Sequence, residues 1–171
     1  GLARDYAFAP GQYLTLKARI GDEEVRRSYS ICAAPADQEL RIAVKRVEGG
    51  LFSPWAAETL EAGHEIEVMT PVGRFGAAAL KPGPRHVLGI AAGSGITPIL
   101  SIIKTVLAGD ARSRVTLFYG NRSTQEILFR EALEDLKDRH LQRLSIFHVL
   151  SREEQDLALL HGRLDAEKLR R

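Results

Sequence analysis

One cysteine, Cys32, is all the chain contains. A single thiol excludes an internal disulfide and any zinc site or iron–sulfur cluster built on cysteine, since each needs several thiolates. No metal site is expected, and Cys32 reads as a buried thiol on a strand. An excess of one charge is also missing. The 24 Lys and Arg against 22 Asp and Glu leave a net +2 with no block of like charges, so no nucleic-acid partner is expected. No apolar run approaches the roughly 20 residues of a spanning helix. The opening Gly1-Leu2-Ala3-Arg4-Asp5 has neither the basic nor the apolar part of a signal peptide. These absences predict a cytoplasmic protein with no membrane partner. Repeats and low-complexity tracts are absent too. What is present, 171 residues of which 44% are hydrophobic and 27% charged, suits one ordinary globular domain or two small ones.

Short strands dominate the first half. Gln12 to Ile20 alternates, with Tyr13, Leu14 and Leu16 apolar, and Gly21-Asp22 is a hairpin signal leading into Glu23 to Ala33. A third run, Leu40 to Val47, carries Leu40, Ile42 and Val44 on one face and Arg41, Ala43 and Lys45 on the other. A fourth, His64 to Thr70, sets Ile66 beside Val68. Strands separated by turns predict a small antiparallel β-barrel. One helix interrupts them. Gly49-Gly50-Leu51-Phe52-Ser53-Pro54-Trp55 supplies glycines, a serine cap and a first-turn proline, with Trp55, Ala56 and Leu60 to pack inward.

Lys81-Pro82-Gly83-Pro84 then punctuates the chain, and strands begin to alternate with helices. The expected domains are 1–82 and 83–171. The second opens on Val87-Leu88-Gly89-Ile90-Ala91-Ala92-Gly93-Ser94-Gly95-Ile96-Thr97-Pro98, a strand, a glycine turn and a helix start. Glycines at 93 and 95 let a pyrophosphate approach the backbone, and the unpaired amides of the helix start favour an anion. Thr97 suits the cap and Pro98 the first helical position. The same residues would equally form a tight turn without a ligand. Gly109 is the expected helix stop and Val115 to Tyr119 the next strand. Ser123 and Glu126 have capping-box spacing before a helix with Phe129, Ala132, Leu133 and Leu136 on its apolar face. Leu144 to Leu150 is a third strand, and Asp165 reads as the cap of a further helix. Three strands are half of a doubly wound parallel sheet, whose first strand would then have an open edge. The expected fold is therefore β followed by α/β, with the nucleotide domain C-terminally incomplete and the chain a piece of a longer protein.

Several stretches together resemble the ferredoxin-NADP reductase superfamily. Arg27-Ser28-Tyr29-Ser30-Ile31 resembles its flavin motif. Alternation puts Arg27 and Tyr29 on one strand face, where a guanidinium can grip pyrophosphate and an aromatic ring can pack on the flavin. Gly50-Leu51-Phe52-Ser53 resembles the second FAD element, and Pro71-Val72-Gly73-Arg74-Phe75 the segment closing the barrel. Gly93-Ser94-Gly95-Ile96-Thr97-Pro98 matches the family's Gly-x-Gly-x-x-Pro loop. Tyr119-Gly120-Asn121-Arg122 and Ser151-Arg152 resemble the two strand ends that face the nucleotide. Within the superfamily, Arg-Ser-Tyr-Ser-Ile-Cys, Tyr-Gly-Asn-Arg and Leu-Ser-Arg-Glu are most similar to the reductase subunits of phenylacetyl-CoA epoxidases. The family's Cys-Gly-Pro segment has no counterpart in the chain.

The resemblance implies FAD and NADP, or NAD, as cofactors. It implies an oxidoreductase that passes electrons from NAD(P)H through FAD to an iron–sulfur centre or a partner oxygenase or ferredoxin, in phenylacetate catabolism. A two-iron two-sulfur cluster enters only if a ferredoxin domain follows. Ser30 and Thr97 fall at the reacting rings. Arg27, Ser28, Tyr29, Ile31, Gly50, Leu51, Phe52 and Ser53 fall around FAD, and Gly93, Gly95, Pro98, Asn121, Arg122, Ser151 and Arg152 around the dinucleotide. No acid aligns with the ribose-binding carboxylate usual for NAD, and Ser151-Arg152 resembles a 2′-phosphate site, so NADPH is expected. A free-standing NAD(P)H:flavin reductase and a non-catalytic FAD-binding interaction subunit stay open as alternatives.

Overall fold

In the computed structural model, which describes residues 2–170, two sheets follow one another along the chain. A short helix α1 (Leu2–Asp5) precedes β1 (Tyr13–Ile20) and β2 (Glu23–Ser30), an antiparallel hairpin whose register runs from Tyr13 opposite Ser30 to Ile20 opposite Glu23. Helix α2 (Phe52–Thr59) follows, and β3 (Glu67–Val68) pairs with Leu16 and Lys17, giving the order β2-β1-β3. Alternation turns Leu14, Leu16, Ala18 and Val25 inward, where they meet Ile31, Ala33, Phe52 and Ala56 in one apolar cluster. An isolated bridge joins Tyr13 to Val72.

The second unit comprises β4 (His86–Ala92), α3 (Ile96–Ala108), β5 (Arg114–Asn121), α4 (Arg130–Arg139) and β6 (Leu144–Leu150). Its sheet is parallel, in the order β4-β5-β6. Both helices lie on one face, with Ala91, Val115, Leu117, Tyr119 and Leu144 beneath them. On the other face Leu88 and Ile90 are exposed, and the rings of Phe118 and Phe147 stack at 5.0 Å. Among the described residues β4 and β6 are the two edge strands of this sheet.

Four local expectations change. The Leu40 to Val47 run is not a regular strand. It keeps one bridge, Ile42 to Ile31, and then leaves the sheet, with Leu40 exposed rather than packed beside Ile42 and Val44. Ser53 is not the cap of α2, which begins one residue earlier. Its hydroxyl oxygen instead accepts the Val47 amide at 3.0 Å, tying the departing run to the helix. Helix α3 begins at Ile96 with Gly95 as cap, so Thr97 and Pro98 both lie inside its first turn. Proline is still tolerated there, because the first four helical amides have no partner within the helix. Ser123 precedes only a 3₁₀ turn, Thr124–Glu126, and α4 starts at Arg130 after Phe129 adopts a left-handed φ of 58°. Cys32 is buried as expected, though just beyond the end of β2, and donates its thiol proton to the Arg41 carbonyl.

Helix α3 is where the two units meet. Nine of its 13 residues are buried, more than one face against one sheet requires. The Ser101 hydroxyl, fully buried, donates to the Ala33 carbonyl at 2.5 Å. Lys104 pairs with Asp37 at the rim. Gly76, at φ 87°, sits so close that a Cβ would press on the Ile102 side chain. Ser101→Ala strips the buried Ala33 carbonyl of that donor and is expected to cost about 1–3 kcal/mol in chemical denaturation. Lys104→Met removes a partly exposed, screened pair and is expected to cost under about 1 kcal/mol. An equal cost for both would mean that the junction is held by its rim.

Candidate functional site

Two clefts open on either side of the glycine turn that joins β4 to α3. The first, about 560 Å³, is bounded by Arg27, Ser28, Tyr29 and Ser30 of β2, by Gly50 to Ser53 at the start of α2, and by Ser94, Gly95, Thr97 and Pro98. The second, about 650 Å³, takes Ala92 from the end of β4 and Gly93 from the same turn, with Gly120 and Asn121 from the end of β5, Arg122 just after it and Ser151 after β6. Both volumes suit a small-molecule site. Lys45 and Val47 line both, so the clefts adjoin. Hence the bend in the irregular run has a consequence: after Ile42 the chain leaves β2, and its alternate residues Ala43, Lys45 and Val47 become cleft wall.

The first cleft separates two adjacent arginines. Arg26 points to the other strand face and pairs with Glu24 at 2.9 Å. The Arg27 guanidinium bonds only the neighbouring Arg26 carbonyl among the described residues, and faces the cleft. Burial pushes the Tyr29 phenol up and the Arg27 charge partly offsets this, as expected for two side chains on one face. The Tyr29 ring also leans on Phe52, with centroids 5.6 Å apart, and Phe52 on Trp55. Ser53 has its oxygen engaged by Val47, leaving its hydroxyl proton to donate. Thr97 is the reverse: its proton goes to the Ser94 carbonyl at 3.0 Å, leaving its oxygen to accept. Ile31 does not reach the cleft, because its side chain is fully buried in the first apolar cluster.

The second cleft is rich in cations. Lys45 lies 3.9 Å from Glu126, which also lines it, and Arg46 pairs with Glu58. Among the described residues Arg122 and Arg163 line it with no side-chain hydrogen bond or ion pair. Arg152, expected here from the sequence, is not part of the lining, although its amide bonds the Arg122 carbonyl at 2.8 Å. Glu153 is turned elsewhere. Its carboxylate accepts the Thr124 hydroxyl and amide at 2.6 and 2.7 Å, and these bonds hold its pKa below the ordinary glutamate value. The Asn121 amide nitrogen is buried without a hydrogen-bond partner, a donor in want of an acceptor.

Lys45, Val47, Gly162, Arg163 and Leu164 were not legible as site residues. Arg163 arrives because His161 bridges in parallel to Leu150 and the Gly162 amide bonds the Leu150 carbonyl at 2.8 Å. Leu164 then covers Gly120, where an added Cβ would come within 3.1 Å of it. No local motif announces this long-range pairing.

The arrangement fits an extended, anionic, ring-bearing ligand. Gly93 holds a φ of 50°, and a Cβ at 93 or 95 would meet nothing within 4 Å, so the turn presents bare backbone to open space. One cleft offers a guanidinium, a hydroxyl donor and an aromatic ring. The other offers free cations and an orphaned amide.

Comparison with known proteins agrees. Residues 3–76 match the oxidoreductase FAD-binding domain family and residues 90–171 the oxidoreductase NAD-binding domain family. The chain is 50% identical over 168 residues to one of the subunits of 1,2-phenylacetyl-CoA epoxidase from Escherichia coli, covering 98% of the chain and 47% of that protein. It is 40% identical over 151 residues to the ferredoxin reductase component of 3-ketosteroid-9-alpha-monooxygenase of Mycobacterium tuberculosis, covering 86% and 40%. It thus spans half or less of these curated relatives. Among solved structures, the flavohem-like FAD/NAD-binding domain of nitric oxide dioxygenase from Vibrio cholerae superposes with a TM-score of 0.78 at 25% identity, over 93% of this chain and 67% of that one. Ferredoxin-NADP+ reductase from Plasmodium falciparum shares the fold, with a TM-score of 0.70 at 21% identity over 85% and 62%. An antiparallel flavin-type unit, a parallel nucleotide-type unit and two matching domain families in that order assign the chain to the ferredoxin-NADP reductase superfamily of flavin- and nicotinamide-dependent oxidoreductases.

Proposed function

We propose that the chain is the flavin-handling part of an oxygenase reductase, taking electrons from NAD(P)H through FAD to an iron–sulfur centre or partner oxygenase. The observation that carries this reading is the shared wall. One glycine turn contributes to both clefts, so a ring held in the first and a dinucleotide held in the second would lie side by side at that turn. The name of the 50% identical relative supports the narrower assignment, to oxygenation of phenylacetyl-CoA. We infer a cytoplasmic protein; no helix of the described residues is long and apolar enough to cross a membrane.

When bound, the two cofactors supply the redox chemistry, hydride from nicotinamide to flavin and single electrons onward. The protein binds and aligns. Arg27 grips the FAD pyrophosphate, assisted by the Ser53 hydroxyl and the backbone of Gly50 to Phe52. Tyr29 packs against the flavin, with Ser28 beside it at the cleft wall. Ser30 gives a hydrogen bond at the reacting edge of the ring, and the free acceptor on Thr97 aligns the second ring there. Gly93 and Gly95 admit the dinucleotide backbone, with Pro98 stiffening the helix start behind them. Asn121, Ser151 and Arg122 hold the nucleotide end. No side-chain acid or base is required for the transfer.

The boundary between the two units is proposed at 82/83, in the Lys81 to Pro84 turn. For cofactor choice we favour NADPH. The 2′-phosphate, a dianion, suits Arg122 and Arg163, which have no side-chain ion pair among the described residues, while the Glu153 carboxylate is bonded to Thr124 and stays out of the cleft lining.

Two outcomes are expected. Arg27→Ala should weaken FAD retention by roughly one to two decades, the cost of a lost charge-assisted contact, while Arg26→Ala stays near wild type. Equilibrium dialysis of FAD against both variants measures this, and equal losses would remove Arg27 from the site. In titration calorimetry, 2′,5′-ADP should bind more tightly than 5′-AMP. Arg122→Ala should narrow that gap more than Arg152→Ala does. A gap that neither substitution changes would detach both arginines from the phosphate.

A further inference from the structure

Strand β5 buries Val115, Leu117 and Tyr119 on the face beneath α3, each at most 1% exposed. For the first two the apolar bulk is the whole contribution. A phenylalanine would serve that purpose equally at 119, so the hydroxyl calls for its own account. It donates to the Gly93 carbonyl at 3.0 Å, across 26 residues of sequence. That carbonyl also accepts the amide of Ile96, the first residue of α3. The Leu128 backbone amide and the Asn121 side chain also approach the phenol oxygen.

Peptide planarity gives this contact its consequence. In a trans peptide the carbonyl and the following N–H point in opposite directions. Drawing the Gly93 oxygen down toward the sheet therefore turns the Ser94 N–H up, away from the core and toward the clefts. Gly93 itself, at φ 50° and with open space around its Cβ position, has little steric reason to keep one orientation.

We propose that Tyr119 is a positioning residue: its hydroxyl fixes the Gly93–Ser94 peptide plane and so aims the backbone of the glycine turn at the bound dinucleotide. The inference rests on the reading of that turn as a dinucleotide loop. The ligand would bind a surface already set, rather than selecting one peptide orientation from several.

Tyr119→Phe keeps the ring and removes the hydroxyl alone. The variant's backbone amide exchange, followed residue by residue by NMR without ligand, should accelerate at Ile96 by roughly three- to tenfold, the equivalent of one hydrogen bond. The Leu117 and Phe118 amides should be unchanged. NADP+ added to the FAD-loaded variant should bind more weakly by a similar factor, with FAD retention unaltered. Acceleration spread evenly over the sheet would mean that Tyr119 is ordinary core and would overturn the inference. So would an unchanged Ile96 together with wild-type affinity. Local acceleration at Ile96 in a protein whose wild type binds no dinucleotide would uphold the tethering and reject the functional reading instead.

Discussion

Everything in the site depends on helix α3 being held from two sides. Its apolar residues pack on the parallel sheet, while Ser101 and Ile102 reach the antiparallel unit, where a hydroxyl meets the Ala33 carbonyl and a side chain fits over Gly76. A helix bound only to its own sheet would leave the glycine turn free to swing relative to β2. Doubly held, it fixes Ser94, Gly95 and Thr97 opposite Ser28, Tyr29 and Ser30. A buried hydrogen bond and close packing are suited to this task in a way that the rim pair Lys104–Asp37 is not, since water and salt weaken an exposed ion pair.

Charge is sorted by the same framework. Arg26 is neutralised by Glu24 on the outer face, and Glu153 is retained by Thr124. Arg27 in one cleft, and Arg122 and Arg163 in the other, carry no side-chain ion pair among the described residues. Anionic ligands thus meet donors that need not first break an internal ion pair, so less of the binding energy goes into rearrangement.

The sequence made the local features legible and left the long-range ones obscure. The hairpin around Gly21-Asp22 and the strand-turn-helix at residues 87 to 98 follow from neighbouring side chains and appear as expected. The Leu40 to Val47 run shows what alternation alone misses. Its faces were readable, but after Ile42 it leaves the sheet, and the Val47 amide bonds the Ser53 hydroxyl oxygen of another element instead of a neighbouring strand. The left-handed Phe129 that delays α4 has no glycine or asparagine to announce it. Arg163 joins the site only through a parallel bridge beside Leu150, a contact no local pattern encodes. Family resemblance gathered Arg27 to Ser30, Gly50 to Ser53 and the glycine turn into one expectation, and the fold brings those three stretches around one cleft.

The central claim is that this cleft holds the flavin with its reacting edge between Ser30 and Thr97. A crystal structure of the chain grown with FAD tests it directly. The account predicts the pyrophosphate against Arg27 and the start of α2, with the isoalloxazine ring between Tyr29 and the glycine turn and its edge facing Thr97. Flavin density elsewhere on the protein, or a ring turned away from Thr97, would contradict it.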